Sequence, residues 1–196
     1  MNARDQIRLF IAVDTPGEVR RAIRLLTAEI APRLRGFRWE APEKYHCTIQ
    51  FLGAVPRGRL EAITAAVRNA ALGAAPLRLA YRGLGFFPGP AAPRVFWVGV
   101  DDTTGALGTL RGIIGGALAP MGFPPEDRPF HPHLTLARAS AGADARALID
   151  TVQRRTFDHP PVIVPAVEIM QSVPVTGTTA YTVLASLPLR GGTAGS

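Results

Sequence analysis

Two copies of a His-x-Thr-x tetrapeptide, His46-Cys47-Thr48-Ile49 and His133-Leu134-Thr135-Leu136, stand 87 positions apart, each in an alternating apolar stretch. With 4 His and 15 Thr in the chain, chance supplies roughly 0.3 His-x-Thr pairs, so two in matched settings carry information. In a strand, residues i and i+2 share a face, so His46 with Thr48, and His133 with Thr135, each present an imidazole beside a hydroxyl. Cys47, Ile49, Leu134 and Leu136 then face the core. Two such strands related by a twofold can surround one small anion with two histidines on opposite sides and two hydroxyls donating to its oxygens. That arrangement suits in-line attack at phosphorus: a neutral imidazole takes a proton from water and a protonated one gives a proton to the departing sugar oxygen. An unperturbed imidazole pKa near 6.5 allows both states. The residues alone leave open which histidine does which.

Rival readings of the same residues are weaker. His46, His131, His133 and His159 could supply imidazoles to a metal, but no carboxylate or thiolate accompanies them at a ligand spacing, and threonine is a poor zinc ligand. A Cys47–His46 dyad fails because neighbouring strand residues point to opposite faces. Cys47, the lone cysteine, reads as a small buried apolar residue. A noncatalytic RNA-binding module would not need a paired acid and base.

The elements that must position these residues repeat. Arg8-Leu9-Phe10-Ile11-Ala12-Val13 recurs as Arg94-Val95-Phe96-Trp97-Val98-Gly99 at an offset of 86, so the chain reads as half-repeats of roughly 7–90 and 91–190. Residues 7–13 form a buried strand, and Asp14-Thr15-Pro16 supplies a capping residue and a proline at a helix start. Val19, Ile23, Leu26 and Ile30 make the apolar stripe of that helix, which Gly36 ends. The first histidine strand covers 45–52. Leu60, Ile63, Val67 and Ala70 mark a second helix, and a strand over 77–86 closes the first half. The second half replays this with a strand over 94–100, a helix on Leu107, Leu110, Ile114 and Leu118 after an Asp101-Asp102-Thr103-Thr104 cap, and the second histidine strand at 133–138. A short helix near 144–154 and strands near 162–170 and 179–187 follow, and the tail 191–196 is expected to be disordered. The expected fold is α+β: one bilobal pseudo-twofold domain over 1–190, each lobe a mainly antiparallel sheet with outer helices, with the site in the cleft between lobes.

Composition narrows the setting. The chain has 196 residues and 47% apolar content, with no run long enough to span a bilayer. The N-terminus lacks the regions of a signal peptide, so a cytoplasmic location is expected; a monomer without membrane contact is expected as well. A net charge of +7 favours a polyanionic partner. Nearly all of the positive charge is arginine, Lys44 being the only lysine, which suits bidentate phosphate recognition.

Taken together, Arg8–Val13, Tyr45-His46-Cys47-Thr48-Ile49-Gln50-Phe51-Leu52-Gly53, Phe87-Pro88 with Pro93–Gly99, and Pro129-Phe130-His131-Pro132-His133-Leu134-Thr135-Leu136-Ala137-Arg138 resemble the RNA 2′,3′-cyclic phosphodiesterase (2′-5′ RNA ligase) family of two-histidine phosphoesterases. The resemblance covers essentially the whole chain. It implies hydrolysis of an RNA 2′,3′-cyclic phosphate end, such as that of a tRNA fragment, to a 2′-phosphate, without metal or other cofactor and with possible reversible ligation. It further implies that His46 is the proton donor and His133 the proton acceptor. Cys47 departs from the aliphatic residue more usual in the family, but faces away from the site. Phe51 and Arg138 are implied to hold the terminal nucleotide. Each stands five residues after its histidine, an odd offset that strict alternation assigns to the opposite face, so contact would require a bulge or a strand end. Phe10 reads as core. The neighbouring alternative is a two-histidine phosphoesterase acting on a small cyclic nucleotide or an ADP-ribose cyclic phosphate.

Overall fold

The computed structural model describes residues 5–176 and 178–191. Alternating and helical apolar patterns become, in chain order, β1 (Gln6–Asp14), α1 (Gly17–Ile30), β2 (Phe37–Trp39), β3 (His46–Pro56), α2 (Leu60–Leu72), β4 (Leu77–Phe87), β5 (Val95–Asp101), α3 (Ala106–Leu118), β6 (His133–Ala139), α4 (Ala145–Arg154), β7 (Asp158–Val164), β8 (Ala166–Val175) and β9 (Thr178–Pro188). All pairings among them are antiparallel. The sheet runs β7-β4-β5-β6-β3-β1-β8-β9, with β2 also on β6. Its middle is its weakest seam, since β3 and β6 share the single pair Cys47↔Leu134. Two half-sheets meet there, β3-β1-β8-β9 and β6-β5-β4-β7, which are the two lobes of a pseudo-twofold α+β fold.

The lobes do not coincide with the halves of the chain. β4 leaves the first half to pair with β5, and β8 returns from the second half to pair with β1. The pairing register also moves the repeat by one residue. Ile11 pairs with Gln50 and Ala12 with Thr48, as Phe96 pairs with Ala137 and Trp97 with Thr135. The first strands therefore correspond at an offset of 85, not 86. A slip of one would have exchanged core and cleft faces.

Other expectations are corrected by local chemistry. The stretch 162–170 is two strands, not one, because Pro165 removes a backbone donor between β7 and β8, which then join different lobes. The first helix stops at Ile30 and tightens into a 3₁₀ turn over Ala31–Arg33. Gly36 instead takes φ +75° in the turn before β2, a strand too short to read from periodicity. Pro16 occupies the cap position of α1 with no side-chain cap, since Asp14 pairs with Arg20. Asp102 does cap α3, accepting from the backbone N–H groups of Ala106, Leu107 and Gly108 at 3.1, 2.8 and 3.2 Å. Of the 191–196 tail, all but Gly191 lies outside the described residues, and the Gly191 N–H donates to the Ala74 carbonyl at 2.8 Å.

One continuous core fills the helical side of the sheet. Ile11, Val13, Cys47, Ile49, Phe96, Val98, Leu134 and Leu136 meet Ile23 of α1, Ile63 and Val67 of α2, and Leu107, Leu110 and Ile114 of α3, all essentially inaccessible to solvent. Each such aliphatic side chain contributes about 1.5–3 kcal/mol on burial. The four predicted core neighbours of the histidine motifs are thus where alternation placed them. Among the described residues no helix is long and apolar enough to cross a membrane.

Two glycines with positive φ separate conformational from steric cost. At Gly36 a Cβ would lie 2.6 Å from Ala143 Cα, whereas at Gly105 (φ +72°) it would meet nothing within 4 Å. Gly105→Ala should cost about 1–2 kcal/mol, the left-handed penalty alone. Gly36→Ala should cost at least about 1 kcal/mol more, because backbone must shift. Urea unfolding of both variants measures this, and equal losses would refute the contact.

Candidate active site

The Cys47↔Leu134 pair sets the site geometry. Stepping one residue outward along antiparallel strands brings His46 level with Thr135 and Thr48 level with His133. Cys47 and Leu134 point into the core, so the four flanking side chains emerge together on the other face. All four line one cleft of about 490 Å³. Each imidazole thus has a hydroxyl beside it on its own strand and another across the seam. Side chains level with one another on paired strands stand about 4.5–5.5 Å apart at Cβ. A seam of one pair lets β3 and β6 diverge on either side, which opens the floor of the cleft.

Phe51 and Arg138 also line this cleft, and the parity objection is removed by two equivalent bulges. In β3 the register jumps from Ala12↔Thr48 to Ile11↔Gln50, leaving Ile49 as an extra residue. In β6 it jumps from Trp97↔Thr135 to Phe96↔Ala137, leaving Leu136 extra. Two successive residues, Ile49 and Gln50 in one strand and Leu136 and Ala137 in the other, are consequently buried. Each bulge restores the residue five positions after the histidine to the histidine's face. Phe51 is left 63% exposed at the cleft. The polar Gln50 turned inward is satisfied by donating from Nε2 to the carbonyls of Phe123 and Pro124, at 3.0 and 3.3 Å, and so anchors the proline-rich approach to β6.

The two imidazoles are held alike. His46 Nδ1 lies 2.7 Å from the Lys44 carbonyl and His133 Nδ1 lies 2.7 Å from the His131 carbonyl. A carbonyl only accepts, so each Nδ1 carries the proton and donates, and each Nε2 is left as the titrating atom. Aromatic rings complete the housing. Phe10 and Tyr181 pack on His46 with centroids at 4.9 and 5.0 Å, and Phe87 and Trp97 pack on His133 at 5.0 and 6.2 Å. Burial therefore pushes the His46 pKa down to about 4, against the opposing pull of the Lys44 carbonyl, with the charges of Arg138 and Arg20 adding to the depression. His133 is shifted down for the same first reason. Cys47, fully buried, has its thiol pushed up to about 12 by burial, in keeping with a packing residue.

Several cleft residues were not read from the sequence. Phe10 is buried as expected, yet on the cleft side, in a small cluster with Ala12 and Met170 apart from the main core. Its site parity follows from β1 alternation once the register is known. Tyr181 reaches the site from β9, a lobe assignment with no local signature. Glu40 is a carboxylate on the cleft wall, with Oε1 3.4 Å from Arg138 Nε and Oε2 3.9 Å from Lys44 Nζ. Lys44 Nζ also donates to Thr178 Oγ1 at 2.8 Å. Among the described residues, no three His, Cys, Asp or Glu side chains gather as a metal-ligand set, and His159 lies in β7, in the strand farthest along the sheet from β3 on that side.

Comparison with known proteins bears on the family and the fold. A model of the LigT-like phosphoesterases matches the chain twice, over residues 13–97 and 98–179. A Geobacillus stearothermophilus protein named RNA 2′,3′-cyclic phosphodiesterase is 39% identical over 133 residues, which is 68% of this chain and 42% of that protein, so the match spans less than half of that relative. Among solved structures, a Thermus thermophilus protein superposes with a TM-score of 0.82 at 30% identity, covering 94% of this chain and 99% of that one. E. coli LigT complexed with 3′-AMP superposes with a TM-score of 0.76 at 26% identity, covering 94% and 98%. With both copies of the motif inside the matched segments and the fold shared along nearly its whole length, the chain belongs to the LigT-like phosphoesterase family.

Proposed function

We propose that this protein hydrolyses the 2′,3′-cyclic phosphate end of RNA to a 2′-phosphate by acid–base catalysis between His46 and His133, without a metal. The observation that carries this is the square of two imidazoles and two hydroxyls on one cleft floor, each imidazole offering only Nε2 to a ligand. The name borne by the Geobacillus relative and the nucleotide held by E. coli LigT support the substrate class.

In this mechanism the cyclic phosphate sits over the Cys47–Leu134 seam, its nonbridging oxygens accepting hydrogen bonds from Thr48 and Thr135. Neutral His133 Nε2 removes a proton from water as the water oxygen bonds to phosphorus. The P–O3′ bond breaks, and protonated His46 Nε2 gives its proton to O3′. The product keeps the phosphate on O2′, and proton exchange with solvent resets both rings. The same groups run in reverse would support 2′-5′ joining. Phe51 offers a stacking surface to the terminal base and Arg138 a charged donor to phosphate or base edge.

The direct test is incubation of the protein with a cyclic-phosphate-ended oligoribonucleotide in EDTA, with the phosphate position read by mass spectrometry and phosphatase sensitivity. A 2′-phosphate at undiminished rate is expected. A 3′-phosphate, or activity abolished by chelator and restored by one metal, would overturn the proposal.

Substitutions should rank the four groups. His46→Ala and His133→Ala should each lower single-turnover rate by about 10²–10⁴-fold, the scale of general acid or base loss. Thr48→Val and Thr135→Val keep a branched strand former and remove one donor, costing about 1.5–3 kcal/mol of transition-state stabilisation. A histidine variant at parental rate would break the assignment.

The depressed His46 pKa gives two pH signatures. In the free protein His46 is neutral well below its ordinary 6.5, and an anionic phosphate beside Nε2 favours its protonation. The basic limb of kcat, which reports the complex, should therefore lie at higher pH than that of kcat/KM. For folding, the unfolded chain binds the extra proton between about 6.5 and 4 while the native state does not, so stability is retained at neutral pH and lost as pH falls through that window. Unfolding midpoints measured from pH 7 to 4 should decline, and His46→Gln should flatten the decline.

A further inference from the structure

We propose that RNA upstream of the reacting end runs over an arginine track that leaves the cleft at Arg138, crosses β2 and reaches a second groove between the end of α1 and α4. This inference rests on the cleft being an RNA-end site. The starting observation is the pair Arg38↔Arg138 across β2 and β6. Directly paired residues project to the same face, so Arg38 and Arg138 stand side by side there, Arg138 also pairing with Glu40. Arg138 lines the cleft, so Arg38 extends its positive rim outward.

Just before β2, the α1–β2 connection is tied to the β6–α4 connection. The Ser140 N–H donates to the Gly36 carbonyl at 2.8 Å and the Asp144 N–H to the Arg35 carbonyl at 3.1 Å. With Gly36 pressed on the Ala143 backbone, the α1–β2 and β6–α4 connections form one ridge. That ridge ends in a groove of about 490 Å³ whose lining includes Arg33, Arg154 and Arg155. Arg33, Arg35 and Arg154 are exposed, and among the described residues none of the three has an ion-pair partner. The acids on this surface are largely committed. Glu29 pairs with Arg155, and Asp144 accepts from the Ala147 N–H as the cap of α4. Asp150 remains in the groove, one turn before Arg154. Arginines at the cleft rim, on β2 and in the groove beyond match a single-stranded polyanion, which tracks its backbone along such charges.

The test compares Arg33→Gln/Arg154→Gln with the parent on two substrates, a 2′,3′-cyclic mononucleotide and an oligoribonucleotide bearing the same cyclic end. The track predicts a KM raised about five- to tenfold on the oligomer, kcat unchanged, and no effect on the mononucleotide. Loss of two phosphate contacts should also reduce the log–log salt slope of oligomer kcat/KM by about 1.4. Arg68→Gln/Arg78→Gln, which removes the same charge from α2 and β4, should leave both substrates unaffected. Equal effects on both substrates, no effect on either, or an equal oligomer effect from the control variant would each overturn the track. Anisotropy with an oligoribonucleotide ending in a 3′-hydroxyl keeps the question separate from catalysis. If the parent binds it and the track variant binds it as tightly, the track is refuted even should the cleft prove to do other chemistry. Retention of the track variant's deficit only on anionic lipid vesicles, and not on RNA, would refute it as well.

Discussion

A single β-bridge, Cys47 with Leu134, governs the centre of this molecule. It is the contact through which the two half-sheets become one, and its position decides which four side chains stand around the pseudo-axis. Were the bridge displaced by one residue, the imidazoles would turn into the core and Ile49 or Leu136 would face solvent. The apolar neighbours of the histidines are therefore part of what shapes the cleft. They fix register by having nowhere else to go, and a seam of minimal length leaves room for a ligand where a full ladder would have closed the sheet.

The aromatic housing of the histidines exacts a cost that only a ligand relieves. Rings on both imidazoles remove water and favour their neutral forms. In the proposed mechanism a general acid so depressed waits for an anion, and protonation and phosphate binding are coupled, each favouring the other. The carbonyls of Lys44 and His131 limit the ambiguity by fixing the tautomer, which leaves Nε2 as the titrating atom of each ring.

The sequence was most legible where one period ran unbroken. The histidine motifs, their core-facing neighbours and the apolar stripes of α1, α2 and α3 follow directly from spacing, because a misplaced face would expose several large side chains at once. It was least legible where the period breaks. The offset of 86 between first strands differed from the 85 that the pairing shows, and strict alternation put Phe51 and Arg138 on the wrong face because each bulge inserts one residue that propensity does not mark. Their trace is the doubled apolar or buried pair, Ile49-Gln50 and Leu136-Ala137. β2 was missed because three residues carry no periodicity. The apolar run over 162–170 hides the division into β7 and β8, which Pro165 marks by lacking a backbone donor. Glu40, Lys44 and Tyr181 carried no local signal at all, since their approach to the site depends on which strands become neighbours.

The exchange of outer strands between lobes bears on how such a chain could arise. The first half gives β1 and β3 to one half-sheet and β2 and β4 to the other, and the second half gives β5, β6 and β7 to one and β8 and β9 to the other, with β4 joining β5 and β8 joining β1. A protein of half this length could not complete its own sheet. It would close only as a symmetric pair, each copy lending a strand to its twin. Joining two such copies head to tail turns a concentration-dependent association into an intramolecular one. Thereafter the two sides of the axis are free to diverge, as the Phe51 and Arg138 that now occupy matching positions have done.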